Sequence, residues 1–356
     1  MKMNSLITKC LFLALICLTS CSDDDEIIVV PKGDYENGLI ISGEGSGAGT
    51  GSISFVSNDL SESENLIYKK VNNVELGTFL QSIAFDDDSA YIIVDNANTI
   101  TVVDRYTFEF KNEIIVNLST PRFMTVVGDK GYVTNWGSTS DDKDDFIAVV
   151  DLQTFAVDKT ISVGNGPERI IAKDGKLYVS HKGAFTNNNI VSVITISTEE
   201  VEEITVKDKP DELFFNDAGD LVVLSEGRTL YDANWNVTGH TLASISTIDV
   251  STLVIDTALD FELGAHPSLM VLDDNTIYYA LGNDIFAMDA DATVLPGASL
   301  LAAEGYLYGM AVGGNRIYAT NASFTDVSTL NIYDLASQDK IDTKEIALGA
   351  SKIYFN

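Results

Sequence analysis

Charged, aromatic and amide side chains recur in this sequence just behind a repeated proline, leucine or alanine, at places where a buried strand would ordinarily carry apolar residues. Behind Pro121 stand Arg122 and Phe123, behind Pro167 Glu168 and Arg169, and behind Pro210 Asp211 and Glu212. Tyr308 follows Leu307, Ser351 and Lys352 follow Ala350, and Gln81 and Ser268 hold the corresponding places in two further repeats. Later in each repeat come Asn135, His181, Ser225 and Asn321, and the longest intervening segments carry Trp136 and, between Glu226 and Leu242, Tyr231, Trp235 and His240. Aromatic faces stack on flat ligands, guanidinium groups pair with carboxylate or phosphate at two points, and amides fix orientation. Together these are the means of a pocket for a large, partly polar small molecule. Arg122, Asn135, Trp136, Arg169, His181, Glu212, Tyr231, Trp235, Tyr308 and Asn321 are therefore the expected ligand-binding residues.

What is missing narrows the chemistry. The three histidines, His181, His240 and His266, stand in different repeats, and no Gly-x-Ser-x-Gly, His-Glu-x-x-His or cysteine-based arrangement occurs. The clusters Asp86 to Asp88, Asp141 to Asp145 and Asp289 to Asp291 lack the turn glycine and distal glutamate of a calcium loop and read as solvated turns. The glycine-rich stretch from Gly43 to Gly51 is followed by no helix that would turn its amides on a phosphate, so it reads as a hairpin loop. No catalytic residue, metal or cofactor is expected.

The elements that must position these groups are strands. Helical periodicity is almost absent, whereas short runs rich in Val, Ile, Tyr and Thr, such as Ala90 to Val94, Leu177 to Ser180 and Ile277 to Ala280, alternate with Gly, Asn and Asp turns. They are organised by a repeat whose anchors are Leu80, Pro121, Pro167, Pro210, Pro267, Leu307 and Ala350, spaced 40 to 57 residues apart. After each of the first six anchors comes a strand of the form apolar-Tyr-apolar, built on Tyr91, Tyr132, Tyr178, Tyr278 or Tyr318 with Val222 standing in once. A strand that in most units ends in Asp follows, and then a fourth. Four strands in about 43 residues is the size of one propeller blade. Six units are complete. The fragment from Ala350 to Asn356 has an anchor strand and nothing after it, while Gly38 to Asn72 offers three strands without an anchor. The expected fold is therefore all-β, a seven-bladed propeller of four-stranded blades, its ring closed by strands from both chain ends in one blade.

The ends and the charge bound where such a ring works. Lys2 and Lys9, the apolar run Leu11 to Leu18 and the sequence Leu18-Thr19-Ser20-Cys21 form a secretory leader with a lipobox, too short to span a bilayer. Residues 1–20 are read as signal peptide and Cys21 as the lipid-bearing first residue. Residues 21–37, opening with Ser22-Asp23-Asp24-Asp25-Glu26, are read as an acidic tether and 38–356 as the propeller. Cys10 and Cys17 fall in the leader, which leaves no second thiol for an intramolecular disulfide. A net charge of −31 repels phosphate backbones and excludes nucleic acid as a partner.

Tyr132-Val133-Thr134-Asn135, with Tyr178-Val179-Ser180-His181 as a variant, resembles the repeat of the YncE-like propellers and related surface-layer proteins, over essentially Gly38 to Asn356. That resemblance implies the fold and leaves the function open. Joined to the lipobox, the acidic tether and the acidic charge, the ring is similar to the cobalamin-capturing surface lipoproteins of bacteroidetes that work with TonB-dependent transporters. By that resemblance the chain is lipid-anchored in the outer membrane facing the cell exterior, touching the membrane only through its anchor. It would hold a corrinoid on its face, as a lid over the transporter, and hand it on. Trp or Tyr would stack on the corrin, Arg would pair with its phosphate, and His181 would be the candidate to replace an axial cobalt ligand. Two other classes stay open: a protein-interaction or adhesion propeller with no small ligand, and a metal-assisted hydrolase of the lactonase type.

Overall fold

A computed structural model describes residues 31–47 and 49–356; Cys21 and the rest of the leader and tether up to residue 30 lie outside the described residues. Seven four-stranded antiparallel sheets follow one another along the chain. Blade 1 consists of Leu80–Phe85, Ser89–Val94, Thr99–Asp104 and Phe110–Ile114. Blades 2 to 6 occupy residues 121–162, 167–205, 210–260, 269–302 and 307–346 in the same order. Blade 7 takes its innermost strand, Ala350–Phe355, from the C-terminus and pairs it with Gly38–Gly43, which leads on to Ser52–Ser57 and Ser63–Glu64. The expected closure is therefore present, with Ile41 opposite Ile353 in the shared ladder.

Each blade is buried on both faces, and the sequence shows why. In Ala90-Tyr91-Ile92-Ile93-Val94 alternate side chains point to opposite faces. Ala90, Ile92 and Val94 join the apolar cluster shared with blade 7, whereas Tyr91 and Ile93 join the one shared with blade 2. Every other second strand divides in this way. The repeat tyrosines Tyr91, Tyr132, Tyr178, Tyr278 and Tyr318, with Val222, each fill the cluster toward the following blade. Seven such clusters separate seven blades, which is what a closed ring requires.

The aspartates that end the third strands shape the turns that follow. The side chains of Asp104, Asp151, Asp249 and Asp334 accept backbone N–H groups two and three residues on. Four residues after each, Phe108, Phe155, Leu253 and Gln338 adopt positive φ to turn the chain outward. The fourth strands carry charge on their exposed face, as in Glu200–Thr205 and Lys340–Ile346, and this guards the rim against edge pairing.

The segment from Gly38 to Asn72 departs from three regular strands. Its third strand is only Ser63–Glu64, and a short helix, Ile67–Asn72, follows and buries Ile67 and Tyr68 in the cluster between blades 7 and 1. Packing of these two side chains outweighs the weak intrinsic helicity of six residues. The lead-in is engaged ahead of the first strand: Tyr35 is buried against Phe55 and Phe108, and its N–H donates to the Tyr106 carbonyl over 2.9 Å.

Candidate functional site

The polar residues behind the anchors are presented by β-bulges. In blades 2, 3 and 4 the ladder skips from Pro121 to Met124, from Pro167 to Ile170 and from Pro210 to Leu213. Shorter irregularities follow Leu80 and Leu307. A bulge frees residues from the pleat and re-aims their side chains, here toward the channel mouth. The amides it releases are satisfied from the next strand: Phe123 N–H donates to Thr134 Oγ1 (2.9 Å) and Arg169 N–H to Ser180 Oγ (3.2 Å).

Two rings of residues surround the opening. The first comes from the positions after the anchors, Gln81, Arg122, Glu168, Asp211, Ser268 and Tyr308. The second comes from the residues that follow the second strands, Glu44, Asp95, Trp136, Lys182, Glu226 and Gly282. With Arg169, Lys352, Phe79, Phe185 and Tyr306 they line a cavity of about 770 Å³, within the usual range for small-molecule sites, roughly 300–1,000 Å³.

Charge in this mouth is paired side by side around the ring. Arg122 donates through two nitrogens to Glu168 (3.0 and 3.1 Å) and through a third to Asp95 (2.5 Å). Its guanidinium carbon lies 3.7 Å from the Trp136 ring centroid. Arg169 stacks on Phe123 at 4.3 Å and pairs with Asp211 and Glu212. Lys182 bridges Asp211 (2.6 Å) and Glu226 (2.7 Å). Lys352 is held most loosely, 3.8 Å from Glu44, which also accepts the Tyr308 hydroxyl at 3.2 Å.

Titration follows this pairing. Burial opposes charge on Asp211, but Lys182 and Arg169 overcome it and keep its carboxyl below the usual range. Burial wins at Glu212 and lifts it, despite Arg169, with the Asp211 charge adding to the rise. Lys352 is lowered by burial and by Arg169, against the pull of Glu44. Its ion pair is the longest among the cations of the mouth.

Of the expected ligand-binding residues, Arg122, Trp136, Arg169 and Tyr308 line this cavity, and Glu212 supports it through Arg169. Asn135, His181 and Asn321 occupy one equivalent position, the end of a second strand, where they hold the loop entering the innermost strand. Asn135 Oδ1 accepts Ser119 N–H (2.9 Å) and Asn321 Oδ1 accepts Tyr306 N–H (2.8 Å). His181 Nδ1–H donates to the Asn165 carbonyl (3.3 Å), while Nε2 accepts the Ser192 hydroxyl (2.8 Å). Fully buried, His181 has its pKa pushed down to about 4.

The two tryptophans do not share a pocket. Between Glu226 and Leu242 the chain forms a hairpin, Thr229–Tyr231 with Val237–His240, and Trp235 at its tip is 82% exposed beside Tyr231. Tyr231 borders a separate hollow near His266. The site residues passed over in sequence are Glu44, Asp95, Lys182 and Glu226. Each immediately follows a second strand, as Trp136 does, and that shared place in the repeat could have found them.

Fold and site together define a seven-bladed β-propeller with a buried charged network at its channel mouth. The chain belongs to the family described as domain of unknown function DUF5074, whose sequence profile matches residues 37–346. Nothing among curated proteins matches it in sequence. Among solved structures it is similar to the dihydro-heme d1 dehydrogenase NirN in complex with DHE, at 12% identity and TM-score 0.58 over 91% of this chain and 76% of the other. It is likewise similar to the computationally designed Ika8 protein, at 13% identity and TM-score 0.58 over 92% of each chain. The hydrazine synthase of Kuenenia stuttgartiensis is similar at 20% identity and TM-score 0.50, over 71% of this chain and 76% of that one. At such identities these likenesses speak to the fold alone.

Proposed function

We propose that this chain is a binding protein that captures a small, partly polar molecule at the mouth of its central channel, and does no chemistry on it. The observation that carries this reading is the ring of bulged positions. They present Arg122, Glu168, Arg169, Asp211 and Tyr308 around one cavity, with Trp136 on its wall. The neighbouring carboxylates are engaged by cations, as befits a rigid recognition surface rather than a general base held in reserve.

The finer reading is a corrinoid, captured at the cell exterior by a lipoprotein anchored through Cys21 and passed to a TonB-dependent outer-membrane transporter. The leader, the acidic run after Cys21 and the ring architecture support it. The mouth adds the aromatic walls of Trp136, which carries Arg122 on one face, and of Tyr308, stacked with Tyr306, and Lys352 for the ligand's phosphate. His181 is not offered to cobalt, because both of its ring nitrogens are engaged inside blade 3. A corrinoid held here takes no axial ligand from it.

The test is gel filtration of the chain starting at Ser22 with cyanocobalamin, following corrin absorbance. Co-elution that is lost in Trp136→Ala and Lys352→Ala supports the proposal. Absence of co-elution at micromolar protein overturns the corrinoid reading. A second reading, a protein-interaction surface, draws on the exposed tip formed by Tyr231, Trp235 and Val237. It predicts partner binding that is sensitive to Trp235→Ser and indifferent to Trp136→Ala.

A further inference from the structure

Two of the three histidines meet outside the mouth, on the hairpin that lengthens blade 4. His240 ends the hairpin's second strand, and His266 stands just before the anchor Pro267, 26 residues on. His240 Nδ1 and His266 Nε2 are 3.0 Å apart. The Thr229 hydroxyl, on the hairpin's first strand, lies 3.3 Å from the former and 3.5 Å from the latter. Three donor atoms thus form a triangle with edges of 3.0, 3.3 and 3.5 Å.

We propose that His240, His266 and Thr229 form a binding site for a divalent transition-metal ion of the imidazole-preferring group, zinc, copper or nickel. Ligand atoms about 2.0–2.1 Å from a common ion lie roughly 3 Å apart at a right angle and about 3.4 Å apart at the tetrahedral angle. Two of the edges, 3.0 and 3.3 Å, fall within that span, and the third, 3.5 Å, lies just beyond it. The two imidazoles are also within ordinary hydrogen-bond distance of each other, whereas the hydroxyl stands beyond the usual range, about 2.7–3.2 Å, from both.

The outer sphere is in place. His266 Nδ1–H donates to the Glu226 carbonyl over 2.9 Å, which leaves the Nε2 lone pair facing His240 and sets the ring's orientation, as in ligating histidines generally. His240 Nδ1–H donates to that lone pair in the hydrogen-bonded arrangement; coordination requires the proton to move to His240 Nε2, with no net loss. Both histidines and Thr229 are half-buried, and Thr229 and His266 line a hollow of about 670 Å³ that leaves room for water in the remaining coordination positions. Imidazole nitrogen selects these ions over calcium and magnesium, and the chain's negative charge of −31 draws cations to its surface.

The experiment is calorimetric titration of the purified protein, without a polyhistidine tag, with Zn²⁺, together with electron paramagnetic resonance after one equivalent of Cu²⁺. The expected result is one ion per chain, weakened about tenfold or more in His240→Ala and in His266→Ala and a few-fold in Thr229→Val, with hyperfine structure from two nitrogens on copper. His240→Gln serves as a second variant should the alanine form lose its fold, judged by circular dichroism. Zinc binding by His240→Ala/His266→Ala as tight as by the unaltered protein would sink the proposal. A copper spectrum without nitrogen coupling would do the same.

Discussion

The guanidinium of Arg122 lies on the face of Trp136 while its nitrogens hold Asp95 and both oxygens of Glu168, so one side chain ties blades 1, 2 and 3 together at the mouth. The pair is nearly closed to water, with side-chain exposures of 11% for Arg122 and 6% for Glu168. Removing Arg122 leaves two buried carboxylates without their counter-charge. Arg122→Ala is expected to cost about 3–5 kcal/mol in urea unfolding. Arg122→Lys is expected to recover less than half of that, because an ammonium reproduces neither the two-point contact nor the flat stacking.

The separation of the tryptophans gives a direct readout of where a ligand sits. Trp136 faces the mouth, and Trp235 stands 82% exposed on the hairpin tip. Acrylamide should quench the unaltered protein mainly through Trp235, and Trp235→Phe should leave an emission that is bluer and harder to quench. A molecule bound in the mouth is expected to protect the emission of Trp235→Phe further. Protection seen in Trp136→Phe instead would move the site to the hairpin.

How much of this could be read from the chain depends on what each residue type reports. Blade number and closure were legible because an apolar-Tyr-apolar strand with a proline or leucine ahead of it has one packing solution, and the lone anchor at Ala350 needed the strands after Gly38 to complete its blade. The first ring at the mouth was legible for the same reason: charge behind an anchor, as at Glu168 and Arg169, cannot be core. Asn135, His181 and Asn321 were not separable from ligand contacts by type, since an amide or imidazole at a strand end serves a loop N–H as readily as a bound molecule. The hairpin geometry that carries Trp235 away from Trp136 depends on pairing between Thr229–Tyr231 and Val237–His240, which loop length does not report.

Acid should loosen blade 3 through His181. Its pKa is about 4 in the folded protein, against an ordinary value of 6.5, because burial disfavours the imidazolium. A depressed folded value means that the contribution is complete above pH 6.5 and is lost as pH falls toward 4, a swing of roughly 3 kcal/mol. His181→Gln keeps a polar side chain there and does not titrate. Melting temperatures measured from pH 7.5 to 4 should therefore fall less steeply for this variant than for the unaltered protein, whatever their absolute positions.

Trp235→Ser is expected to change unfolding free energy by no more than about 0.5 kcal/mol, since an exposed side chain away from core and caps has little to lose. Co-purification with a partner protein that disappears in this variant, with folding intact, would place the hairpin in an interface and raise the interaction reading above capture.

Closure itself can be tested by cutting where the family match ends. Residues 37–346 leave out Ala350–Phe355, the strand that pairs with Gly38–Gly43 and puts Ala350 and Ile353 into the cluster between blades 6 and 7 and Tyr354 into the one between blades 7 and 1. Behind that strand, Asn356 acts as a latch. Its backbone N–H donates to Gly38 (2.8 Å), its side-chain amide donates to the Tyr35 carbonyl (2.7 Å), and its side-chain oxygen accepts from Arg105 (2.6 Å). A chain ending at Ile346 would expose the Gly38–Gly43 edge and strip apolar contacts worth about 1.5–3 kcal/mol per fully buried side chain. It is expected to lose cooperative unfolding and to aggregate. Adding the residues from Ala347 to Asn356 as a separate peptide should restore the transition in proportion to peptide concentration, because a ring closed by strand pairing obeys mass action. A truncated chain that melts like the intact one would mean that the five interfaces without this strand hold the propeller together without closure.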